Sequence, residues 1–358
     1  MLDLLSDAIV SPPTWNNDAH PGLTINAIVS TIVTTELGFA TFLNPLVNAA
    51  FKRILDAWSR YLVTPDSTSI LTTKAWLSDD AMGKLTTYLP PGGTPTERFK
   101  TAFVRPSNYP DKTWGFQSWD NFFTRRFIDI DKTRPLPTVD DPNAIVSACE
   151  STIFNIKPNA TETGEFWLKG NAYSLRLMLN DDENAPLFYG GTVYQAFLDV
   201  WDYHRWHSPV NGIVSKVINV PGTYYALPPD FYKGLNTDVE VQGIVEAQAF
   251  LAVAATRALI FIESDNSDIG LVCFVAVGMI EVSSCEITVR TGDRVAKGQQ
   301  IGLFHFGGSS SCLVFRPGLN FVLDPKWHAP SKVSPKDASH VPIRAQIGTL
   351  KKSSRLVL

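Results

Sequence analysis

"LFHFGGSSSCLVF", from Leu303 to Phe315, places a glycine pair and three serines between two apolar runs that are typical of β-strands. The glycines, Gly307 and Gly308, give the backbone the conformational freedom that a tight turn needs. A turn accounts for the glycines. It does not account for a row of hydroxyl groups at the start of a strand, so one of these serines is a candidate for chemistry.

The composition is that of an ordinary globular protein. The 358 residues are 44% apolar and 18% charged, with a net charge of −4 at pH 7. The most basic segment is the short "KKSSR" near the C-terminus, so we expect no nucleic-acid partner. The N-terminal segment carries acids where a signal peptide is basic, and the longest apolar stretch, Ile25 to Leu43, contains several polar residues. We therefore expect a cytoplasmic protein without a stable membrane anchor.

The order of the predicted elements indicates an α+β fold. "NPLVNAAFKRILDAWSRYL" has helical periodicity, with Asn44 as a cap and Pro45 in the first turn. A second helix is predicted over residues 73–89, and a third follows Ser118 as its N-cap. From Ala144 onward the chain consists of short strand-like runs separated by turn residues. We expect a helical N-terminal region over residues 1–113 and a mostly β catalytic domain over residues 114–358.

A hairpin is predicted shortly before the serines. Gly292 and Asp293 are typical of a tight turn, and apolar residues on both sides of Lys297 and Gly298 predict two paired strands. Lipoyl and biotinyl carrier domains contain a similar hairpin. The modifiable lysine between two methionines is missing here, which argues against a carrier role.

Reactive side chains concentrate in three stretches. "SACES" contains Glu150, "WDYHRWHSPVNG" contains Asp202, His204 and His207, and "FHFGGSSS" contains His305 and the serines that begin at Ser309. Taken alone, each has an ordinary structural explanation. Glu150 could be a satisfied buried carboxylate, and the histidines could be packed side chains.

Other chemistries fit these residues less well. His204 and His207 have a spacing that metal ligands use, but no third ligand stands at a suitable distance, so we expect no metal. The ingredients of a serine hydrolase are present, but the serines precede a strand and lack the GxSxG pattern. The four cysteines are widely spaced, which favours free thiols over zinc ligands or disulfides.

Taken together and in this order, the motifs resemble those of the phosphatidylserine decarboxylase family, whose members carry a pyruvoyl group. The resemblance extends from about Trp114 to the C-terminus. It rests on four stretches: "FQSWDNFFTRRF", "DYHRWHSPVNG", "FVAVGMIEVSS" and "FGGSS". It implies an α+β fold with a mostly antiparallel β catalytic domain.

The resemblance also implies how the chain would mature. Ser309 would attack the carbonyl of Gly308, and the chain would be cut between Gly308 and Ser309. Ser309 would become a pyruvoyl group, so that no pyridoxal phosphate is needed. His207 corresponds to the histidine that activates the serine, and Glu150 stands where the family has an aspartate that orients this histidine. This departure adds a methylene group and bears on the geometry of self-cleavage.

The pyruvoyl carbonyl would then act as the electron sink for decarboxylation of a substrate amine. His204 corresponds to the histidine that serves at decarboxylation and reprotonation. The partners implied are a small-molecule amino acid and the protein's own two cleavage chains. The sequence does not indicate an oligomeric state.

The resemblance leaves two predictions for the substrate. The helical N-terminal region, the glutamate in place of aspartate, "GGSS" and "YHRWH" resemble the soluble fungal branch of the family, which acts on free aromatic amino acids. The implied reaction is the conversion of L-tryptophan to tryptamine. Phosphatidylserine is the alternative, and a binding protein that has lost processing is a third. Tyr224 and Tyr225 match a family loop and are candidates for the substrate pocket, although packing in the core explains them equally well.

Overall fold

The structure is a computed structural model. It describes residues 2–15, 22–33, 35–106, 111–138, 140–163, 174–228, 247–281, 284–306, 309–329 and 338–352. Ten α-helices lie in these ranges, most of them in the first 133 residues. They are α1 (Leu2–Ala8), α2 (Thr24–Val33), α3 (Glu36–Leu43), α4 (Pro45–Leu62), α5 (Asp79–Leu85), α6 (Pro95–Ala102), α7 (Trp119–Phe123), α8 (Ile130–Thr133), α9 (Leu175–Met178) and α10 (Gln248–Ala254).

Strands dominate the rest of the described chain. They are β1 (Ala144–Val146), β2 (Ser151–Ala160), β3 (Gly191–Leu198), β4 (Arg205–His207), β5 (Gly212–Val220), β6 (Arg257–Ser264), β7 (Leu271–Gly278), β8 (Cys285–Ile287), β9 (Arg294–Val295), β10 (Gln300–Phe304), β11 (Ser309–Phe315), β12 (Leu319–Leu323), β13 (His340–Val341) and β14 (Gln346–Lys352). Helices therefore precede strands along the chain, as predicted.

The strands form one large sheet and two small ones. The large sheet has the order β13-β2-β3-β11-β7-β6-β5-β9, and the small sheets have the orders β1-β14-β12 and β4-β10-β8. Every ladder between these strands is antiparallel. The prediction of an α+β fold with a mostly antiparallel β region is confirmed.

Two hydrophobic cores cover the two faces of the large sheet. The helix-side core joins residues of the N-terminal helices, such as Trp58, to strand residues such as Val314. The strand-side core joins the other face of the sheet to the small sheets, and it includes Trp206, Phe304 and Leu313. Successive residues of a strand point to opposite faces, so neighbouring residues of β11 enter different cores.

The predicted helix caps are confirmed. The Asn44 side chain accepts a hydrogen bond from the Leu46 N–H at 2.9 Å, and Ser118 Oγ accepts one from the Asn121 N–H at 3.0 Å. The helix predicted over residues 73–89 is shorter than expected. Ser78 Oγ accepts from the Ala81 N–H, and α5 begins only after this cap.

The predicted hairpin is wrong in its pairing. Gly292 does adopt a left-handed turn conformation, with φ 95°. However, β9 pairs with β5, whereas β10 pairs with β4 and β8. Lys297 lies between the two strands, and its ammonium donates to the carbonyls of Thr138 and Asp141. The connection is therefore held against another part of the chain, and the two strands join different sheets.

No single described helix is long and apolar enough to cross a membrane. Helices α2 and α3 reach the required length and hydropathy only as a pair, and they are bent by 117° with respect to each other. The boundary between residues 113 and 114 stays a prediction.

Candidate active site

Ser309 is the first residue of β11, in the middle of the large sheet. It pairs with Leu198 of β3 on one side and with Gly278 of β7 on the other. The residue is fully buried, and its Oγ has no hydrogen-bond partner among the described residues. Buried hydroxyl groups in folded proteins almost always have a partner, so such an atom marks a possible reactive group. Gly307 and Gly308 lie outside the described residues.

Ser310 has a different environment from its neighbour. Its hydroxyl accepts a hydrogen bond from the Gln195 amide at 3.0 Å, on the face that carries the helix-side core. Ser309 and Ser311 point to the strand-side core, as Leu313 does two residues further along. Only Ser309 among these serines combines complete burial with an unpartnered hydroxyl group.

His207 lies on β4 and has one ring nitrogen held by the backbone. Its Nδ1 is 2.8 Å from the carbonyl oxygen of Gly298 and must carry the proton in order to donate to it. In the neutral ring the lone pair is then on Nε2, which has no partner in the described part of the chain. Burial lowers the pKa of His207 to about 4. The ring is therefore neutral at physiological pH and suited to accept a proton.

The segment Ala148–Cys149 brings His207 and the serines to the same place. The His207 N–H donates to the Ala148 carbonyl at 2.8 Å, which fixes β4 against this segment. The Ser311 hydroxyl lies near the Cys149 thiol and partly opposes the rise in pKa that burial causes there. Because Ser309 and Ser311 share a face of β11, Ser309 and His207 lie on the same side of the sheet and beside the same segment.

Glu150 is buried close by, but it does not orient His207 by contact. Arg134 holds its carboxylate with two hydrogen bonds, of 2.9 Å and 2.5 Å, and the Ile343 N–H adds a third at 3.0 Å. The carbonyl of Gly298 takes the place at His207 that the sequence predicts for Glu150. The negative charge of Glu150 still acts on His207 through space and favours its protonated form. A buried carboxylate needs such a partner, and Arg134 satisfies it.

His204 is held from several sides. Its Nδ1 is 3.0 Å from the carbonyl oxygen of Asp202, and its own carbonyl accepts from the Phe304 N–H at 2.9 Å. The Phe123 ring lies 4.2 Å from the imidazole, measured between centroids. Thus His204 lies beside the strand that leads into the glycine pair.

Two arginines connect α7 with the histidine motif. Arg125 donates to the carbonyls of Trp201 and Asp202, and Arg205 donates to the carbonyl of Thr124 at 2.6 Å. Each segment thus supplies a cation to the backbone of the other. This exchange fixes the loop that carries His204.

The residues just before the glycine pair are anchored. His305 lies 2.8 Å from both Asp120 and Glu286; burial alone would lower its pKa, but these carboxylates outweigh burial and raise it to about 9. The Phe306 ring packs edge-on against Trp119 at 5.4 Å. Both contacts tie the end of this segment to α7.

Tyr224 and Tyr225 lie in the helix-side core. The Tyr225 ring contacts Phe42 and Phe51 at 5.9 Å and 5.4 Å, and the Tyr224 N–H donates to Asn48. These contacts support the packing explanation. A role in substrate binding stays a prediction.

A pocket borders the site at Glu150 and Asp202. Its walls combine aromatic and apolar side chains with several charges. They are Lys84, Leu85, Tyr88, Leu89, Phe103, Arg125, Phe127, Arg134, Trp201 and Tyr203, besides the two acids. No group of three possible metal ligands is found in the described ranges.

The sequence did not reveal every residue of this site. Arg134 and Tyr88 come from stretches without a motif, and His340 is 138 residues away from Asp202, to which it is hydrogen-bonded. An isolated arginine or histidine carries no signal of its own. The lone acid at Glu150 in an apolar stretch was the available hint, since a buried carboxylate requires a cation.

The buried Ser309 at the start of β11 and the buried His207 thus lie on the same side of the large sheet. Comparison with known proteins identifies the family. A family model described as phosphatidylserine decarboxylase matches residues 119–334, and a second one of that description matches residues 1–85.

Relatives extend this match to most of the chain. The decarboxylase iboD of Amanita muscaria is 42% identical over 88% of this chain and 92% of its own length. The L-tryptophan decarboxylase of Psilocybe cyanescens is 36% identical over 87% of this chain and 72% of its own. Phosphatidylserine decarboxylase proenzyme 3 of Schizosaccharomyces pombe is 30% identical, over 57% of this chain and 19% of its own. The protein is a carboxy-lyase, and it belongs to the phosphatidylserine decarboxylase family.

Proposed function

We propose that the protein decarboxylates a free aromatic L-amino acid, with L-tryptophan converted to tryptamine and carbon dioxide. The observation that carries this proposal is the extent of similarity. The similarity to an L-tryptophan decarboxylase covers 87% of the chain, whereas that to a phosphatidylserine decarboxylase covers 57%.

The enzyme would first make its own prosthetic group from Ser309. His207 Nε2 takes the proton from Ser309 Oγ while this oxygen attacks the carbonyl carbon of Gly308, and the acyl group moves from nitrogen to oxygen. Elimination then removes the Cα proton of residue 309 to a base and breaks the Cβ–O bond. It releases chain 1–308 as a carboxylate and leaves dehydroalanine, with its Cα–Cβ double bond, at the start of the second chain. Hydrolysis of dehydroalanine gives ammonia and a pyruvoyl group at the start of chain 309–358.

The residues around Ser309 support this chemistry. The serine hydroxyl and His207 Nε2 are both buried, and neither has a hydrogen-bond partner among the described residues. Burial also keeps His207 neutral at physiological pH. Exclusion of water favours attack by the serine over hydrolysis. Arg134 balances the charge of Glu150, and the positive charges of Arg344 and Arg205 also favour the neutral form of His207.

After maturation the pyruvoyl group supplies an electrophilic carbonyl that withdraws electrons as carbon dioxide leaves. It would be held at the start of β11, between β3 and β7. His204 Nδ1 is engaged with the Asp202 carbonyl, so Nε2 of the neutral ring carries a lone pair. Nε2 would first accept a proton and then pass it to the substrate carbon. No pyridoxal phosphate is needed. We place the enzyme in the cytoplasm, which the four free cysteines support.

The test is product analysis by mass spectrometry. Purified protein is incubated with an equimolar mixture of the twenty amino acids and, separately, with phosphatidylserine vesicles. Tryptamine as the main product, with the lipid unchanged, supports the proposal. Phosphatidylethanolamine, or an amine from a non-aromatic amino acid, would contradict the proposed substrate.

A further inference from the structure

The Asp202 carboxylate has a partner that the proposed mechanism does not use. His340 Nε2 lies 3.1 Å from Asp202 Oδ1, and the two side chains are 5% and 2% exposed. His340 is on β13, at the edge of the large sheet, and follows the segment that the family model matches. Because both side chains are buried, this contact fixes the position of the Asp202 carboxylate.

Tyr88 covers the His340 ring. The two rings are parallel within 4°, and their centroids are 3.4 Å apart. The Tyr88 carbonyl in turn accepts a hydrogen bond from Arg134, which holds Glu150. His340 is therefore fixed in position by the loop after α5, and that loop is itself bound to the site.

The charges around His340 favour its protonated form. Burial alone would lower the pKa of its imidazole, but Asp202, Glu150 and Asp199 outweigh burial and raise it. The orientation of the Asp202 carboxylate is held by the contact with His340 Nε2 and by the Asp199 N–H, which donates to it at 2.9 Å.

Asp202 connects this pair to His204. Its backbone carbonyl accepts the proton of His204 Nδ1 at 3.0 Å, while its side chain is bound to His340. We propose that His340 is a positioning residue for His204. By fixing Asp202, it keeps the proton of His204 on Nδ1 and the lone pair on Nε2. This inference rests on the proposed function only where it assigns proton transfer to His204.

The contact can be tested without a substrate. In protein labelled with ¹⁵N-histidine, two-bond ¹⁵N–¹H correlations report the tautomer of each ring, and His204→Asn assigns the His204 signals. We expect the proton on Nδ1 in the wild type. In His340→Phe, which keeps a ring against Tyr88 but cannot donate, we expect a mixture of both tautomers. An unchanged His204 spectrum would overturn the inference, whichever substrate the enzyme takes.

The kinetic test uses the substrate that the wild type decarboxylates. His340→Phe should be cleaved completely, keep KM within about twofold and lose at least about tenfold in kcat. His340→Gln, whose amide can still donate to Asp202, should recover most of this loss. His328→Phe is the matched control, because His328 belongs to the same cleavage chain and is exposed. Wild-type kcat in His340→Phe, or its failure to cleave, would overturn the inference.

Discussion

Ser309 and Ser310 are neighbours in β11 but face opposite sides of the large sheet. A strand turns successive side chains to opposite faces, so one residue separates an unpartnered hydroxyl group from one that is bound to Gln195. His207 shares the side of Ser309. At the scale of single residues, the alternation of side chains along β11 thus determines which serine hydroxyl lies on the same side of the sheet as His207.

Substitution of each serine tests this choice. Ser309→Ala should remain a single full-length chain without activity, since it lacks the attacking oxygen. Ser310→Ala should still be cut into two chains and lose only about 1 kcal/mol of stability with its hydrogen bond to Gln195. Intact mass spectrometry of both purified variants decides. Cleavage of Ser309→Ala would move the nucleophile to Ser310.

The pKa of His207 predicts how cleavage depends on pH. Because burial lowers this pKa to about 4, the neutral ring that acts as base persists well below pH 6.5. The first-order rate constant of precursor cleavage should be flat down to roughly pH 5 and then fall about tenfold per pH unit below about pH 4. Precursor made by cell-free synthesis and shifted in pH provides the measurement. A fall centred near pH 6.5 would show an exposed histidine acting instead.

A contact can be predicted from the sequence when it is local or depends on a recognisable side-chain motif. Side-chain motifs indicated the candidate site residues, which stay a prediction. Ser118 and Asn44 could be predicted as helix caps because capping is local. The partner of His207 is a backbone carbonyl, at Gly298, and every residue has one, so no pattern distinguishes it. The pairing of Glu150 with Arg134 and of Asp202 with His340 depends on the tertiary fold, which places distant segments together.

At the scale of elements, the start of α2 is joined to the end of β7. Glu281 lies three residues after β7, and its Oε1 accepts the N–H of Asn26 in the first turn of α2. Burial raises the pKa of this carboxyl group to about 8, although the helix N–H groups oppose the change. The folded protein thus keeps a proton on Glu281 over a pH range in which the unfolded chain releases it.

This difference predicts how stability changes with pH. Since the folded pKa is above the unfolded one, the contribution of Glu281 to stability falls as pH rises from about 4.5 to about 8 and is constant above. Each unit of pKa difference corresponds to about 1.4 kcal/mol. In Glu281→Gln the side chain does not titrate and can still accept from the Asn26 N–H. This variant should therefore be more stable than the protein with Glu281, and its gain in the free energy of unfolding should increase from pH 5 to pH 8.

Thermal melting of both proteins in the Ser309→Ala background measures the gain on a single chain. A constant difference between pH 5 and pH 8 would contradict the raised pKa. Asp324→Asn, at a partly exposed carboxylate that lies 3.6 Å from Lys326 Nζ, controls for the general effect of replacing a carboxylate by an amide.

At the scale of the whole molecule, the predicted cut separates the central strand from most of its sheet. After cleavage, β11 begins the short chain but still pairs with β3 and β7 along seven residues on each side. All seven residues of β11 are buried. The two chains should therefore stay together without a disulfide, since all four cysteines are free.

Size-exclusion chromatography of the cleaved protein under reducing conditions should give one peak that contains both chains. Unfolding in guanidinium chloride followed by dilution should give different results for the uncleaved Ser309→Ala protein and for the cleaved wild type. The single chain of Ser309→Ala should recover its circular dichroism spectrum, whereas the cleaved protein should not. Recovery of decarboxylase activity after refolding of the cleaved protein would contradict this prediction.

If the prosthetic group is made from Ser309 as proposed, the central position of β11 would limit the working life of the enzyme. A dissociable coenzyme can be exchanged when it is damaged, but a group made from the backbone of an inner strand would be formed once, inside a finished fold. The cell would replace it only by synthesising another polypeptide. The number of turnovers per molecule then depends on how slowly the cut protein unfolds, so selection for output would act on the unfolding barrier more than on the equilibrium stability.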